Sequence, residues 1–347
     1  MKSKSFISLA TTTALAALVA SPSCTAQTAS PGYRVINRIA AGGEGGWDYV
    51  TVDPDGNRLF LSRGTHAMVI DLGTNRVIGD IANTPGIHGV ALAPELNRGF
   101  TSNGRDSSVT IFDYKTLAPI TVLKIPATGP DAIFYDPATK RVFTFNGGSN
   151  NATAIDAVNG TVVGNVPLAG KPEGAVFENG RGYANLEDKS EIAVFDPKTL
   201  AVLARWPLAP CEEPTGLAID RVHQRLFAGC GNKTMVIVDV KTGKVVASVP
   251  VGDGVDAAGF DPETQLAFTS NGEGSITVVH EDTPDKYSVV ETVPTQRGAR
   301  TMAVNPKTHR VYTVTANFGP TPAATADRPR PRPPMIPGSF VVLELGR

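Results

Sequence analysis

The sequence predicts an all-β fold, a seven-bladed β-propeller closed by its own N-terminal strand. Three observations support this prediction. A sequence motif of constant form repeats every 40 to 44 residues. Within each repeat, apolar and polar residues alternate with a period of two, as in β-strands. No stretch beyond residue 26 keeps the 3.6-residue period of a helix. Repeats of this length, with four short strands each, are typical of propeller blades.

The seven repeats share a polar start and an aromatic residue further on, and five of them share an Asp at the end of the third strand. The starts are Asp48, His88, Asp131, Glu173, Thr215, Asp256 and Arg300. Twelve residues later stand Phe60, Phe100, Phe143, Phe227, Phe268 and Tyr312, whereas the fourth repeat has Tyr183 ten residues on because its first turn is shorter. The residue after each start is small, as crowding near the axis requires, except Tyr49.

The third strands end on an acidic residue in five repeats, namely Asp71, Asp113, Asp156, Asp196 and Asp239. Asp suits this position because its carboxylate can accept hydrogen bonds from backbone amides of the next turn. The seventh repeat has only three strands before the chain ends at "GSFVVLELGR", and "YRVINRIA" (33–40) supplies the fourth. Pairing the two ends removes an exposed sheet edge, so we expect one propeller domain over 33–347.

The first 26 residues have the layout of a secretory signal peptide: two lysines, a short apolar run and then small residues. We expect cleavage after Ala26, a short linker over 27–32 and export to the periplasm or the outside of the cell. A lipoprotein anchored at Cys24 is the less favoured alternative, because the usual aliphatic residue three positions earlier is missing. The apolar run is too short to span a bilayer, and no later stretch predicts a transmembrane segment.

Bulk composition excludes several classes of function. The net charge is −1, and the lysines and arginines form no basic stripe, so we expect no nucleic-acid partner. There is no phosphate-binding loop, nucleophile elbow or haem-attachment cysteine pair, which disfavours a serine hydrolase and a redox enzyme. We expect a monomer with an unknown small molecule or protein as its partner.

The polar starts are expected to encircle one mouth of the central channel, because the loops that enter the first strands lie on one face of a propeller. Turns between the second and third strands lie on the same face and add Asn103, Asn146, Asn185 and Asn271. We predict a ligand site there, formed by these amides with Asp48, His88, Asp131, Glu173, Asp256 and Arg300.

Carboxylate and amide oxygens suit a hard cation such as Ca²⁺, so Asp131, Glu173 and Asp256 are the expected metal ligands. A solvated lining is the alternative. A wet channel needs polar walls in any case, and Arg300 stands between Asp256 and Asp48, where it can neutralise both.

Two further features fall on the same face. Cys211 and Cys230 belong to one blade, and in an oxidising compartment they predict a disulfide, with two free thiols as the alternative. The insertion at 319–339 in blade seven is rich in proline, which makes it stiff and extended. Its Arg328, Arg330 and Arg332 would face the acidic ring, so the insertion is interpreted as a lid over the mouth or as a solvated loop.

The segment "RVYTVTANFG" (310–319), with "RVFTFNGG" and "LAFTSNGEG" in register, resembles the YVTN-repeat (YncE-like) β-propeller family of secreted bacterial proteins over residues 33–347. The resemblance implies a seven-bladed propeller in the periplasm or at the surface of a bacterium, without implying one reaction. The chain is also distantly similar to lactonase-type propellers, which hold a divalent metal at a channel mouth. In an enzyme of this kind the metal would polarise a carbonyl, with His88 or Asp131 as the acid/base.

Streptogramin B lyase, a further relative of the family, relies on a histidine pair, whereas this ring has one histidine. His66, in a turn of blade one, is the candidate for a second, although turn residues lie farther from the axis. His223, His280 and His309 are expected to be exposed to solvent. We therefore expect an exported ligand-binding or scaffold protein that acts through the channel mouth. The alternative is a metal-dependent hydrolase or lyase for a lactone or cyclic ester at the same mouth, and a third class is an interaction platform.

Overall fold

The computed structural model describes residues 1–5, 32–325, 331 and 333–347. The chain divides into two units, and the larger one, Gly32–Arg347, holds every strand described below. Most of the predicted signal peptide, with Cys24, and the three arginines of the insertion lie outside the described residues.

The propeller begins with strand β1, Arg34–Ala40. Blade one follows with β2 to β5, which span Val50–Asp53, Arg58–Ser62, Ala67–Asp71 and Arg76–Ile81. Blade two has β6 to β9 at Ile87–Ala93, Arg98–Asn103, Ser108–Asp113 and Pro119–Lys124. Blade three has β10 to β13 at Pro130–Asp136, Arg141–Asn146, Asn151–Asp156 and Thr161–Val166. Blade four has β14 to β17 at Pro172–Glu178, Arg181–Leu186, Glu191–Phe195 and Val202–Pro207.

Blade five has β18 to β21 at Pro214–Asp220, Arg225–Cys230, Thr234–Asp239 and Lys244–Pro250. Blade six has β22 to β25 at Val255–Asp261, Leu266–Asn271, Ser275–Thr283 and Lys286–Pro294. Blade seven joins β26 to β28, at Met302–Asn305, Arg310–Thr315 and Val341–Gly346, with β1. The helical content of the described residues is two short 3₁₀ turns, Pro94–Leu96 and Glu187–Lys189.

The ring closes as the strand count predicts. Strand β1 pairs antiparallel with β28, from Arg34 opposite Gly346 to Ala40 opposite Val341. The first strands of neighbouring blades contact one another in an unbroken order from β2 to β26, and β26 contacts β2 again. The prediction of an all-β, seven-bladed propeller is therefore confirmed, with both chain ends in blade seven.

The core lies between adjacent blades and is built from the repeat aromatics. All seven of them are buried, with at most 3% of each side chain exposed. Between blades three and four, for example, Phe143 packs against Phe177 and Phe195 at ring-centroid distances of 5.0 and 5.7 Å. Full burial of such a side chain contributes about 1.5–3 kcal/mol to the stability of the fold. Because these aromatics are buried between blades, each one stabilises the contact of its blade with a neighbour.

The acidic residue at the end of the third strand closes the next turn. Asp113 accepts hydrogen bonds from the backbone amides of Lys115 and Thr116, at 3.0 and 2.7 Å. These bonds lower the pKa of Asp113. Asp239 accepts the amide of Thr242 in the same way. This turn chemistry explains why Asp recurs at the position.

Cys211 and Cys230 form the predicted disulfide, with Cα atoms 5.5 Å apart. It ties the loop before β18 to the end of β19 in blade five. Of the helices in the described residues, none has the length and apolar character needed to cross a bilayer.

Candidate functional site

Short polar side chains on the second strands hold the backbone of the mouth. Ser102 donates its hydroxyl to the carbonyl of Asp131 in the next blade and accepts the amide of Gly89 in its own, at 3.0 Å. Ser270 donates to the carbonyl of Arg300 in the equivalent way. In blade one the amide of Asp48 donates to Ser62 at 2.8 Å. The mouth residues therefore stand on a braced backbone.

A chain of ion pairs runs along one half of the mouth, from blade six through blades seven, one and two to blade three. Arg300 contacts Asp256 on one side and lies 3.3 Å from Asp48 on the other. His88 Nδ1 lies 2.7 Å from Asp48 Oδ2 and 3.4 Å from Asp131 Oδ1. Arg300 thus neutralises the two acids that flank it in the ring.

His88 and Asp131, at one end of this series of ion pairs, both have shifted pKa values. Burial alone would lower the pKa of His88, but the hydrogen bond to Asp48 and the nearby carboxylates outweigh it and raise the pKa. Burial also raises the pKa of Asp131, although His88 opposes the shift. The Oδ1 atom of Asp131 is buried and accepts no hydrogen bond from any described residue. A proton or a cation at this atom would satisfy it.

Glu173 and Lys171 of blade four occupy the other half of the mouth. Lys171 Nζ lies 2.9 Å from Glu173 and also contacts Glu187. Burial, followed by the charge of Asp131, raises the pKa of Glu173 to about 7 in spite of this lysine. Glu173 therefore titrates near neutral pH, which is unusual for a carboxylic acid and common at functional sites.

Tyr49 crosses the ring, which explains the one large residue in a position that is otherwise small. Its hydroxyl, from blade one, reaches Glu173 Oε2 of blade four at 3.5 Å. Its ring packs against the core shared by blades three and four. Burial, with the charges of Asp131 and Glu173, raises the pKa of Tyr49 well above its ordinary value. The phenol thus stays neutral and can donate to Glu173.

The four asparagines of the predicted ring are fully buried. The side-chain amides of Asn103, Asn146 and Asn271 donate hydrogen bonds within their own blades. Asn271, for example, donates to Ser275 and Thr277 at 3.0 and 3.1 Å. Asn185 instead donates to the carbonyls of Thr215 and Gly216 in the next blade. Asn185 follows the repeat aromatic Tyr183 by two residues, as Ser102 follows Phe100, so it holds the bracing position that serine takes in other blades. A ligand role for these amides stays a prediction.

A cavity of about 630 Å³ opens beside Arg300, between the loops of blades six, seven and one. Trp47, Phe318 and Met335 supply apolar walls, and Arg297 and Arg300 supply positive charge. No acidic residue of the described chain lines it. Phe318 and Met335, which form a bridge, mark the two ends of the insertion, so the base of that segment borders the cavity. The predicted lid residues Arg328, Arg330 and Arg332 lie outside the described residues.

The mouth could also hold a cation. Asp48, His88 and Asp131 bring one ligand atom each within 4.8 Å of the others. Of the expected metal ligands Asp131, Glu173 and Asp256, only Asp131 belongs to this group. Glu173 is engaged with Lys171, and Asp256 with Arg300. His66 pairs with Asp80 at 3.6 Å. His88 therefore remains the one histidine that the described structure places in the ring.

No family model matches the chain, and no curated protein sequence matches it. Several solved structures share its fold. A structure of Kuenenia stuttgartiensis hydrazine synthase is 18% identical and covers 79% of this chain and 93% of that chain, with a TM-score of 0.68. U3-55K is 8% identical, with coverage of 90% and 99% and a TM-score of 0.74. The WD40 repeats of RRP9 are 8% identical, with coverage of 90% and 97% and a TM-score of 0.73. At these identities the likeness shows the propeller fold alone.

Proposed function

We propose that this chain is an exported β-propeller that binds a small anionic molecule at its channel mouth. The observation that carries the proposal is the cavity beside Arg300. Its volume falls in the range of small-molecule sites, about 300–1,000 Å³, and it combines apolar walls with a few charged groups, as such sites do.

The charged residues that line the cavity favour an anionic ligand. Arg297 is exposed and Arg300 is half-buried, and both border the same space, which has no acidic lining residue. Trp47 stacks near Phe318 and Phe340, with centroids 6.0 and 5.4 Å apart, and presents an aromatic wall. A planar apolar body with a carboxylate at one end fits this arrangement, since arginine binds carboxylates through paired hydrogen bonds.

Export is the other half of the proposal. The Cys211–Cys230 disulfide supports an oxidising compartment, and the first 26 residues have the layout of a signal peptide. The resemblance to YVTN-repeat propellers of secreted bacterial proteins supports the same assignment. A periplasmic fraction should contain a mature chain that begins at Gln27, and its N-terminal sequence tests this directly.

Trp47 provides the readout for binding. The chain has two tryptophans, and the second, Trp206, stacks on Tyr183 in blade four. In a Trp206→Phe protein, fluorescence therefore reports on Trp47. We expect naphthoate to change this signal saturably, whereas neutral naphthamide and cationic naphthylmethylammonium bind at least roughly tenfold more weakly. Equal responses to all three compounds would remove the anionic class from the proposal.

A second candidate function, metal-dependent hydrolysis of a lactone or cyclic ester, is favoured by the Asp48–His88–Asp131 group. A divalent ion on these residues would polarise a carbonyl. His88 and Asp131 lie 3.4 Å apart, and whichever of the two does not hold the ion would act as the acid/base. This reading requires that the mouth bind metal.

Metal content decides this second candidate. Protein equilibrated with Ca²⁺ or Mn²⁺ and then dialysed should retain one ion at the mouth, and Asp131→Asn should remove it. Asp156→Asn, an acid in an exposed turn of the same blade, is the matched control. If the wild type retains no more metal than Asp131→Asn, the hydrolase reading loses its basis.

A further inference from the structure

A second group of ligand-type residues lies away from the mouth, where β18 of blade five ends beside β24 of blade six. Asp220 Oδ2 lies 2.7 Å from His223 Nδ1, which lies 3.0 Å from Glu281 Oε1. The three ligand atoms all fall within 4.8 Å of one another. His223, which the sequence suggested would be solvent-exposed, keeps only 32% of its side chain accessible.

Glu281 is the unexpected member of this group. The backbone amide of Glu281 donates to the carbonyl of Gln265, the residue just before the second strand of blade six. In four other blades one residue makes the same backbone hydrogen bond and is therefore equivalent to Glu281. Those residues are Leu72, Tyr114, Ala157 and Val240. In blade two Tyr114 uses its hydroxyl to donate to the buried Asp53 of blade one, at 2.7 Å. In blade six the same position carries a second acid, facing Asp220.

Both carboxylates are almost wholly buried, at 2% exposure for Asp220 and 1% for Glu281. Neither oxygen of Glu281 accepts a hydrogen bond from a described residue. Burial, followed by the charge of Asp220, raises the pKa of Glu281. Two buried acids that face each other are costly unless a positive charge lies between them.

The nearby arginine does not supply that charge directly. Arg225 is the counterpart of Arg58, which pairs with Asp53 in blade one at 2.9 Å. The guanidinium of Arg225 instead contacts Asp239 and Asp285 at 2.6 and 2.9 Å. Among the described residues, the only basic side chain within 4 Å of the carboxylates of Asp220 and Glu281 is therefore His223.

We propose that Asp220, His223 and Glu281 bind a divalent transition-metal ion of the Zn²⁺ type, which joins blade five to blade six. One imidazole nitrogen and two carboxylates are ligands that Zn²⁺ accepts, whereas Ca²⁺ prefers oxygen alone. The amides of Val222 and His223 donate to Asp220 at 2.8 and 3.1 Å and orient its carboxylate, as outer-shell donors do in metal sites. The exposed side of His223 leaves an entry path and room for a water ligand.

A similar pair between blades six and seven shows what distinguishes the proposed site. His309 Nδ1 lies 2.7 Å from the buried Asp261, but the third acid, Glu263, is exposed and lies 3.5 Å from the other ring nitrogen. The three groups therefore do not converge on one point. His309→Ala is for this reason a matched control: it removes a histidine–aspartate contact at a place where three ligand atoms do not converge.

The test uses the full chain carrying Asp131→Asn, so that the mouth contributes no metal. After chelation, Zn²⁺ is titrated by calorimetry, and Co²⁺ serves as an absorbing probe of a nitrogen- and oxygen-ligated site. We expect one equivalent of saturable binding and a raised melting temperature with Zn²⁺. Glu281→Gln, which keeps the shape of the side chain, and His223→Ala should lose both effects, while His309→Ala keeps them.

Two results would overturn the proposal. Absence of saturable Zn²⁺ binding is one, and one equivalent that survives in Glu281→Gln is the other. If Glu281→Gln raises the melting temperature of metal-free protein while Zn²⁺ changes nothing in either protein, the two acids share a proton instead, and the metal site is excluded.

Discussion

His88 of blade two contacts Asp48 of blade one across 2.7 Å, and this pairing joins Arg300 of blade seven to Asp131 of blade three in one chain of ion pairs. On one side Asp48 is held by Arg300, which borders the cavity. On the other side the same nitrogen of His88 lies 3.4 Å from Asp131. A ligand that engages Arg300 is therefore coupled through two contacts to His88, whose pKa is raised.

The stability of the protein should fall as the pH rises from about 5 to 8. Glu173 has its pKa raised from 4.5 to about 7 in the folded state, and the pKa values of Asp131 and His88 are raised as well. A raised folded-state pKa means that the folded protein binds protons more tightly, so the associated stability is present at low pH and lost as pH rises through the folded value. Denaturant melts at several pH values measure this slope.

Glu173→Gln should remove much of that slope, because the amide resembles the protonated acid. We expect the variant to gain on the order of 1–3 kcal/mol relative to the wild type at pH 8 and little at pH 5. Glu187→Gln, which removes the other partner of Lys171, is the comparison and should lessen the slope only slightly, because the charge of Glu187 contributes less to the raised pKa of Glu173 than burial and Asp131 do. A wild-type stability that is flat over this range would contradict the assignment of Glu173.

Gly104→Ala should displace the His88 ring. A Cβ atom at this position would come within 2.6 Å of His88 Nε2 and 2.8 Å of its Cδ2. Real Cβ atoms do not approach so closely, so the ring must rotate away from Asp48. In the NMR titration of His88 we expect the pKa to fall towards its ordinary value. Gly46→Ala, which meets no atom within 4 Å, should leave the titration unchanged.

Loss of Arg300 should cost stability through the acids that it holds. Asp48 and Asp256 have 20% and 25% of their side chains exposed, and Arg300→Gln leaves both without this cation. Because the pairs are partly screened by solvent, we expect a loss of roughly 1–2 kcal/mol in denaturant melts. Addition of Asp256→Asn should recover part of it. A double variant as unstable as the single one would argue against direct pairing.

The disulfide should stabilise the propeller measurably. It closes a short loop, since Cys211 and Cys230 are 19 residues apart, and such crosslinks contribute about 2–4 kcal/mol. Cys230 is fully buried, so a serine there would place a polar hydroxyl in the core. Alanine at both cysteine positions removes the crosslink without adding this polarity. The double alanine protein should melt lower than the oxidised wild type and become insensitive to reductant. Equal melting of the oxidised and reduced wild type would be the contrary result.

The fold could be predicted almost completely from the sequence, because each blade carries its own local signals. The aromatic twelve residues after Asp48 marks the second strand, and the Asp at the end of the third strand marks the next turn. Ring closure by residues 33–40 followed from counting strands in the last repeat. Apart from that pairing of residues 33–40 with the last strand, these conclusions depend on signals within single repeats.

The candidate site was predictable only in part. That Asp48, His88 and Arg300 come together follows from their equivalent positions in successive blades. The direction of a side chain depends on register, so Asn103 and its equivalents turned out to point into their blades. Asn185 is the counterpart of Ser102 and not of Asn103, because it follows its repeat aromatic by two residues and not by three. The role of Ser102 could have been inferred from a small polar residue two positions after several of the aromatics.

Contacts between blades at the far end of the strands left no sequence signal. Glu281 sits in an alternating strand like any exposed acid, and only the packing of blade six on blade five shows that it faces Asp220. The cavity beside Arg300 depends in the same way on how the base of the insertion folds back, with Phe318 against Met335.

The measurement that tests the central claim most directly is the affinity of naphthoate for Arg297→Gln, read from Trp47 fluorescence in the Trp206→Phe protein. Arg105→Gln, which changes an exposed arginine in the turn between β7 and β8 of blade two that does not line the cavity, is the control. The account predicts that Arg297→Gln weakens binding roughly ten- to a hundredfold and that Arg105→Gln leaves it unchanged. Equal affinity in all three proteins, or no saturable binding to any of them, would contradict it.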